Sequence, residues 1–236
     1  MRKSGNGLYC AECRRIKLRE WMNASISRNR DHYRDKNRAT AIKLRKKQKL
    51  LVVHHYSDGT GRCACCGEEK LEFLTLDHIG NDGAKERRKT KSWPGSSFYY
   101  WLIKQGLPAG YQVLCSNCNM SKAKRGRCVH NLGSVNENRR LSQALLRREK
   151  TKREVLGHYS GQLFKCACCG EPEIDFLTVD HISGNAKQQK DWHGTPRSGN
   201  ALYLWLVRNR FPTGFQVLCM NCNCAKGRHG VCPHVA

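Results

Sequence analysis

Short apolar runs broken by glycine and proline set the frame of this chain. Phe73-Leu-Thr-Leu-Asp-His-Ile79 mixes β-branched, aromatic and polar residues in a way that predicts a strand, and Gly110 to Leu114 predicts a second strand leading into Cys115. Between them, Phe98 to Gln105 carries Trp and Leu at helical spacing and stops at Gly106 and Pro108, which predicts a short helix with Trp101 packed on a core. After Cys118 the polar, Lys-rich Asn119 to Lys124 predicts another helix, ended by Gly126.

The same pattern returns further along. His55-Tyr-Ser and Cys63-Ala-Cys-Cys-Gly-Glu68 recur as His158-Tyr-Ser and Cys166-Ala-Cys-Cys-Gly-Glu171, and the first strand recurs as Phe176-Leu-Thr-Val-Asp-His-Ile182. Tyr99-Tyr-Trp-Leu and Gln112-Val-Leu-Cys-Ser-Asn-Cys-Asn119 return as Tyr203-Leu-Trp-Leu and Gln216-Val-Leu-Cys-Met-Asn-Cys-Asn223, with Trp205 in the place of Trp101. The offset grows by one residue between these blocks, so the second copy has a longer middle loop. Two copies are too few for a solenoid and make a tandem pair, or pseudo-dimer.

A basic segment of helical composition precedes each copy: Arg38 to His54, which contains Arg45, Lys46 and Lys47 and no acid, and Leu141 to Gly157, where two Glu dilute the charge. Single-sign charge suits phosphate tracking, and mixed charge equally suits a solvated connector. The expected organisation is a basic helical arm with a Cys-x-x-Cys over 1–54, a first module over 55–132, a basic helical linker over 133–157 and a second module over 158–236.

Composition sharpens the choice of partner. The 236 residues hold 43 Lys and Arg against 19 Asp and Glu, a net charge of +24, which calls for a polyanion and makes nucleic acid the leading one. No apolar run is long enough for a membrane span, and the first residues lack the apolar core of a signal peptide, so a soluble intracellular protein is expected. In a reducing compartment, 15 cysteines point to metal rather than disulfides.

Cys63 and Cys66 with Cys115 and Cys118 supply four thiolates from two knuckles, and Cys166, Cys169, Cys219 and Cys222 repeat the set. Paired Cys-x-x-Cys knuckles fit a closed tetrahedral zinc site, structural rather than catalytic. Further soft ligands recur as Cys65, Cys128 and His130 and as Cys168, Cys232 and His234. They either form a second zinc site in each copy or, in the first copy, Cys128 and His130 join Cys10 and Cys13 of the arm. Spacing leaves both groupings open. His55 and His158 are either further ligands or ordinary packed histidines.

Each copy also places Asp-His at a strand end and Asn directly after the second knuckle, so zinc closure is expected to bring Asp77, His78 and Asn119 onto one face. With the knuckles, this order resembles the HNH endonucleases, the zinc-containing branch of the His-Me finger nucleases: Cys63 to Cys66, Asp77-His-Ile79, Gln112-Val-Leu-Cys115, Cys118-Asn119 and Lys122, and again Cys166 to Cys169, Asp180-His-Ile182, Gln216-Val-Leu-Cys219, Cys222-Asn223 and Lys226. The resemblance implies a small, zinc-stabilised α+β fold with two tandem ββα-metal modules. It implies His78 and His181 as general bases, and Asp77 with Asn119 and Asp180 with Asn223 as holders of a catalytic Mg²⁺ or other divalent cation. The family's middle Asn is replaced by Gly110 and Gly214, and Asn117 or Asn221 is the nearby substitute for its bracing contact.

The function this resemblance implies is metal-dependent hydrolysis of double-stranded DNA, one module per strand, by a monomer acting as a pseudo-dimer in a homing-like, restriction-like or phage setting, with a bacterial or phage origin. The alternatives are a zinc-stabilised nucleic-acid binder and a nickase with one active and one recognition module. Lys122 and Lys226 are expected either on the DNA backbone or on a solvated helix face. Lys85, Arg87, Arg88, Lys89 and Lys91 in the first middle loop are expected to contact DNA more heavily than the sparser Lys187, Lys190 and Arg197 of the second.

Overall fold

A computed structural model describes residues 10–90, 96–131, 143–184 and 198–235, with the side chains of Arg28, Tyr33, Ala84, Arg87, Lys89, Thr90 and Ser96 outside that description. Lys91, Lys187, Lys190 and Arg197 also lie outside the described residues. The chain divides into two units, Met1–Lys49 and Leu50–Ala236.

The first unit contains α1 (Ala11–Arg28) and most of α2 (Arg30–Tyr56). Cys10 caps α1, its Sγ accepting the Cys13 N–H at 3.3 Å. Along α1, Ile16, Leu18, Trp21, Met22 and Ile26 are exposed, and Arg45, Lys46 and Lys47 are exposed on α2. The predicted basic helix over 38–54 is therefore the C-terminal part of a longer one.

The second unit opens with the last turns of α2, where Val52 and Val53 are buried. β1 (Leu74–His78) and β2 (Tyr111–Cys115) form an antiparallel pair, with α3 (Gly83–Thr90) and α4 (Ser96–Lys104) between them and α5 (Ser116–Arg125) directly after. α6 (Gln143–Tyr159) leads to β3 (Leu177–His181), α7 (Gly199–Arg208), β4 (Phe215–Cys219) and α8 (Met220–His229), with β3 and β4 paired antiparallel in matching register. The strand pairs and the helices after each second knuckle fall where the apolar pattern predicts them. Together with cysteine and histidine clusters, they make a small mixed α/β fold suited to zinc stabilisation.

Each ribbon is too small to stand alone, since an isolated two-stranded pair is marginal in water. Phe73, Leu74, Leu102 and Val113, and in the second copy Phe176, Leu177, Leu206 and Val217, are almost fully buried. Burial of one such side chain contributes about 1.5–3 kcal/mol. Trp101 and Trp205 are only half-buried, and the full burial on their helices belongs to Leu102 and Leu206. The repeated His-Tyr pair has a clear structural use. Tyr56 and Tyr159 donate their hydroxyls to the carbonyls of Pro108 and Pro212 at 2.7 Å, tying the preceding helix to the loop before the second strand.

α6 differs from a solvated linker. Its outer turns are exposed, but Lys152, Val155, Leu156 and Gly157 are buried against the second module.

The two copies meet through α5 and α8. The Asn117 N–H donates to Asn221 Oδ1 at 3.0 Å and the Asn221 N–H donates to Asn117 Oδ1 at 2.9 Å, both buried. Each asparagine thereby satisfies an N–H in the first turn of the other module's helix, a group that has no partner within its own helix. His130 packs on Phe176 and His234 on Phe73, with ring centroids 5.2 and 5.0 Å apart. These reciprocal contacts describe a pseudo-two-fold axis. Arg125 adds a two-pronged ion pair to buried Asp175.

Candidate active site and metal centres

The knuckles are built by hydrogen bonds that the sequence makes available locally. The Cys63 N–H donates to the Glu68 carbonyl at 2.8 Å and the Gly67 N–H to the Cys63 carbonyl at 3.0 Å, while the Ala64 N–H anchors the turn to the Val113 carbonyl. Gly67 and Gly170 both have φ +77°, which a side chain rarely adopts, explaining the repeated Cys-Gly. At the second knuckle Cys115 caps α5, its Sγ accepting the Cys118 N–H.

Cys63, Cys66, Cys115 and Cys118 bring their sulfurs together, as do Cys166, Cys169, Cys219 and Cys222. The Cys66–Cys115 and Cys169–Cys219 sulfurs are 3.8 Å apart. A tetrahedral ion with Zn–S of about 2.3 Å sets neighbouring sulfurs about 3.8 Å apart, so the residues fit zinc. Hydrogen-bond donation, first from Cys115 and then from Cys118, lowers the pKa of Cys63 and brings Cys66 down to about 7, favouring thiolate in the first knuckle.

Cys65, Cys118, Cys128 and His130 form another group, and Cys168, Cys222, Cys232 and His234 repeat it. Of the two groupings left open by spacing, the one within the module is realised. Its fourth ligand is Cys118 rather than a residue of the arm, so Cys10 and Cys13 are not required there. His55 and His158 are exposed and belong to neither set; His158 stacks on Phe211 at 4.3 Å.

Alternation along a strand puts successive side chains on opposite faces, and this corrects the expectation that Asp77 and His78 share one. Asp77 faces α5. Gln112, its partner across the ribbon, donates to Oδ2 at 2.8 Å, and Lys122 Nζ reaches the same oxygen at 2.6 Å. Asp180 is held likewise by Gln216 at 2.9 Å and Lys226 at 2.5 Å. Lys122 also donates to the carbonyls of His78 and Ile79, and Lys226 to those of His181 and Ile182. These lysines are thus braces of the Asp-His turn rather than members of a solvated face. Asn119 lies one helical turn before Lys122, on the side of α5 that reaches Asp77.

His78 faces the other way, toward α3 and α4. Its Nε2 is hydrogen-bonded to Glu86, whose other carboxylate oxygen accepts from the Tyr111 hydroxyl. Phe98 stacks on the imidazole at 5.8 Å and Tyr111 meets it edge-on at 4.9 Å. Gly83 leaves room beside Nδ1, where an added Cβ would come within 2.6 Å of it. His181 has Phe215 in the place of Tyr111, its ring 4.7 Å away, and its buried Nε2 has no hydrogen-bond partner among the described residues. Burial lowers the pKa of His181, opposed by Asp180.

Gly110 and Gly214 turn out to be required by backbone shape, with φ of +107° and +95°. Their carbonyls accept the Ile79 and Ile182 N–H groups at 3.0 Å, so main chain braces the Asp-His turn. Asn117 and Asn221 are committed to the contact between modules and not to that bracing. Lys85 and Arg88 are exposed on α3. Sequence reasoning missed Gln112 and Gln216, although their recurrence opposite each Asp was a signal, and it missed Glu86, whose basic neighbours hid it.

Comparison with protein-family models, with curated proteins and with solved structures finds no match to this chain. Among the described residues, no helix is long and apolar enough to cross a membrane.

Proposed function

We propose that the protein is a metal-dependent endonuclease of the HNH kind, hydrolysing phosphodiester bonds of double-stranded DNA with one Asp-His site per module. The observation that carries this reading is the division of labour at each strand end, with Asp77 on one face of the ribbon and His78 on the other. In-line displacement at phosphorus sets the attacking and leaving oxygens opposite each other, so a strand end that offers an imidazole and, separately, a carboxylate supplies a base for the first and a cation holder for the second.

In this reading His78 and His181 take the proton from water, as general bases do. Asp77 with Asn119, and Asp180 with Asn223, hold Mg²⁺, which when bound neutralises charge on the phosphate and leaving oxygen. Lys122 and Gln112 hold Asp77, Glu86 and Tyr111 orient His78, and Lys85, Arg45, Lys46 and Lys47 are exposed cations that could meet phosphates, with Arg88 exposed beside Lys85 on α3. The pseudo-two-fold relation supports paired cutting, because the strands of a duplex are also related by a two-fold axis.

A second reading, a zinc-stabilised DNA binder, is favoured by one feature: each Asp already has an ammonium partner, Lys122 or Lys226. Supercoiled plasmid incubated with the zinc-loaded protein separates the two. Nicked and linear products that appear only on adding Mg²⁺ support hydrolysis; a mobility shift without cutting supports binding alone. In either reading the shift should be salt-sensitive. Contact with about six to ten phosphates implies a loss of roughly three to five decades in affinity between 50 and 200 mM salt.

A further inference from the structure

We infer that each module holds two zinc ions joined by one shared thiolate, Cys118 in the first and Cys222 in the second. The inference stands apart from the nuclease reading, since it concerns ligand groups and not the Asp-His sites.

The geometry points to sharing because Cys118 is a member of both ligand groups of its module: with Cys63, Cys66 and Cys115 on one side, and with Cys65, Cys128 and His130 on the other. Within each group every ligand atom lies within 4.8 Å of the rest. Cys118 Sγ is 3.4 Å from His130 Nδ1, Cys128 Sγ is 3.5 Å from it and Cys65 Sγ is 3.8 Å from it. Cys222 and Cys232 lie 3.3 and 3.6 Å from His234 Nδ1. Zn–S of about 2.3 Å and Zn–N of about 2.0–2.1 Å set tetrahedral neighbours about 3.5 to 3.8 Å apart, so both groups have the dimensions of a zinc site. Two four-coordinate ions need eight ligand positions, and seven residues fill them only if one thiolate serves both.

Chain layout serves the same arrangement. Cys63-Ala-Cys-Cys66 sends Cys63 and Cys66 to one ion and Cys65 to the other. The Cys128-x-His130 turn is fastened to α5 by the Val129 N–H, which donates to buried Ser121 Oγ at 3.1 Å. All cysteines are free thiols, and the paired clusters use every one except Cys10, Cys13 and Cys224. The second ion also has a position of consequence. Its histidines, His130 and His234, are the rings that pack on Phe176 and Phe73 of the opposite module, so it links metal uptake to the joining of the two copies.

The full chain, purified with zinc and weighed by native mass spectrometry, should carry four ions; two would overturn the inference. Cys65→Ser removes a ligand exclusive to the second position and should leave three, and retention of four would overturn that assignment. The shared thiolate is read on the unaltered chain loaded with the NMR-active cadmium isotope, a measurement that does not depend on a variant folding. The β-protons of Cys118 and Cys222 should couple to two metal nuclei each and those of Cys63 and Cys166 to one. Coupling of Cys118 to a single nucleus would overturn the bridge even with four ions bound.

Discussion

The two modules share their paired strands, their knuckles and the helix after each second knuckle, and differ in how they treat their histidine. His78 is gripped by Glu86 and Tyr111 and stacked by Phe98, whereas His181 sits beside Phe215, with Leu202 at the position of Phe98. The difference of Tyr111 from Phe215 removes one hydroxyl, and the partner that hydroxyl recruits in the first module, Glu86, comes from α3. The Asp side is the opposite case: Gln112 and Lys122 are matched by Gln216 and Lys226. Duplication has kept the carboxylate's surroundings and varied the imidazole's, so the proposed catalytic strength of the modules should differ through the base.

The largest effect that tests this comparison is loss of each base in turn. His78→Ala and His181→Ala should each stop cutting of one strand, with opposite strands surviving, because a positioned base contributes about two to four decades in rate. End-labelled duplex resolved on a denaturing gel reads both strands at once. If His181→Ala cuts like the parent while His78→Ala is inactive, the second module is a recognition element.

A second expected effect concerns α6. Burial, and then neighbouring Lys124, lowers the pKa of Lys152 from 10.5 to about 8, while its Nζ donates to the Ile174 carbonyl at 2.5 Å. Between those values the unfolded chain binds more protons than the folded one, so stability rises with pH across that window. The cost of a buried charge is fully present below pH 8 and gone above pH 10.5. Lys152→Met has no such titration. Its stability relative to the parent should fall by about 3 kcal/mol from pH 8 to pH 10.5, one pKa unit being worth about 1.4 kcal/mol. Urea denaturation of both proteins at the two pH values checks it, and a constant difference would mean Lys152 titrates normally.

The Glu86 contact predicts a smaller, one-sided change. Glu86→Gln keeps the size of the side chain but removes the carboxylate that orients His78, and misplacement of a catalytic group by about 1 Å costs up to about a hundredfold. Cutting of the strand served by the first module should slow by about tenfold to a hundredfold while the other strand is cut at the parental rate. Equal slowing of both strands would show that Glu86 acts through the fold as a whole.

Strands, knuckles and the helix after each second knuckle were legible because their signals are local: a period of two, a Cys-x-x-Cys, and Gly126 at φ +82° ending α5. The repeat helped by marking Asp77, His78 and Asn119 twice. What stayed hidden depends on which chain segments meet. Alternation along β1 separates Asp77 from His78, and closure of the knuckles by zinc does not undo it. Cys118 looks like any knuckle cysteine until the Cys128-x-His130 turn is folded onto α5. Asn117 and Asn221 look like knuckle residues because their role exists only between the copies, and the α3 helix gives no apolar pattern for its charged sequence to announce.

That contact between copies gives the last and smallest prediction, and it asks whether the modules, unlike at their histidines, are equal at their seam. Asn117 Oδ1 accepts the Asn221 N–H and Asn221 Oδ1 accepts the Asn117 N–H, both within the first turn of a helix. Asn117→Ala leaves the Asn221 N–H buried and unpaired, at about 1–3 kcal/mol, and Asn221→Ala does the same to Asn117. The two single variants should therefore lose similar stability, within about 0.5 kcal/mol of each other. Because the two residues form one reciprocal contact, the double variant should depart from the sum of the singles, and a double-mutant cycle reads that coupling directly. Chemical denaturation at fixed zinc measures all four proteins. A large loss from one variant and none from the other would mean the seam is not two-fold, and that the modules differ in how they are joined as well as in how they hold their bases.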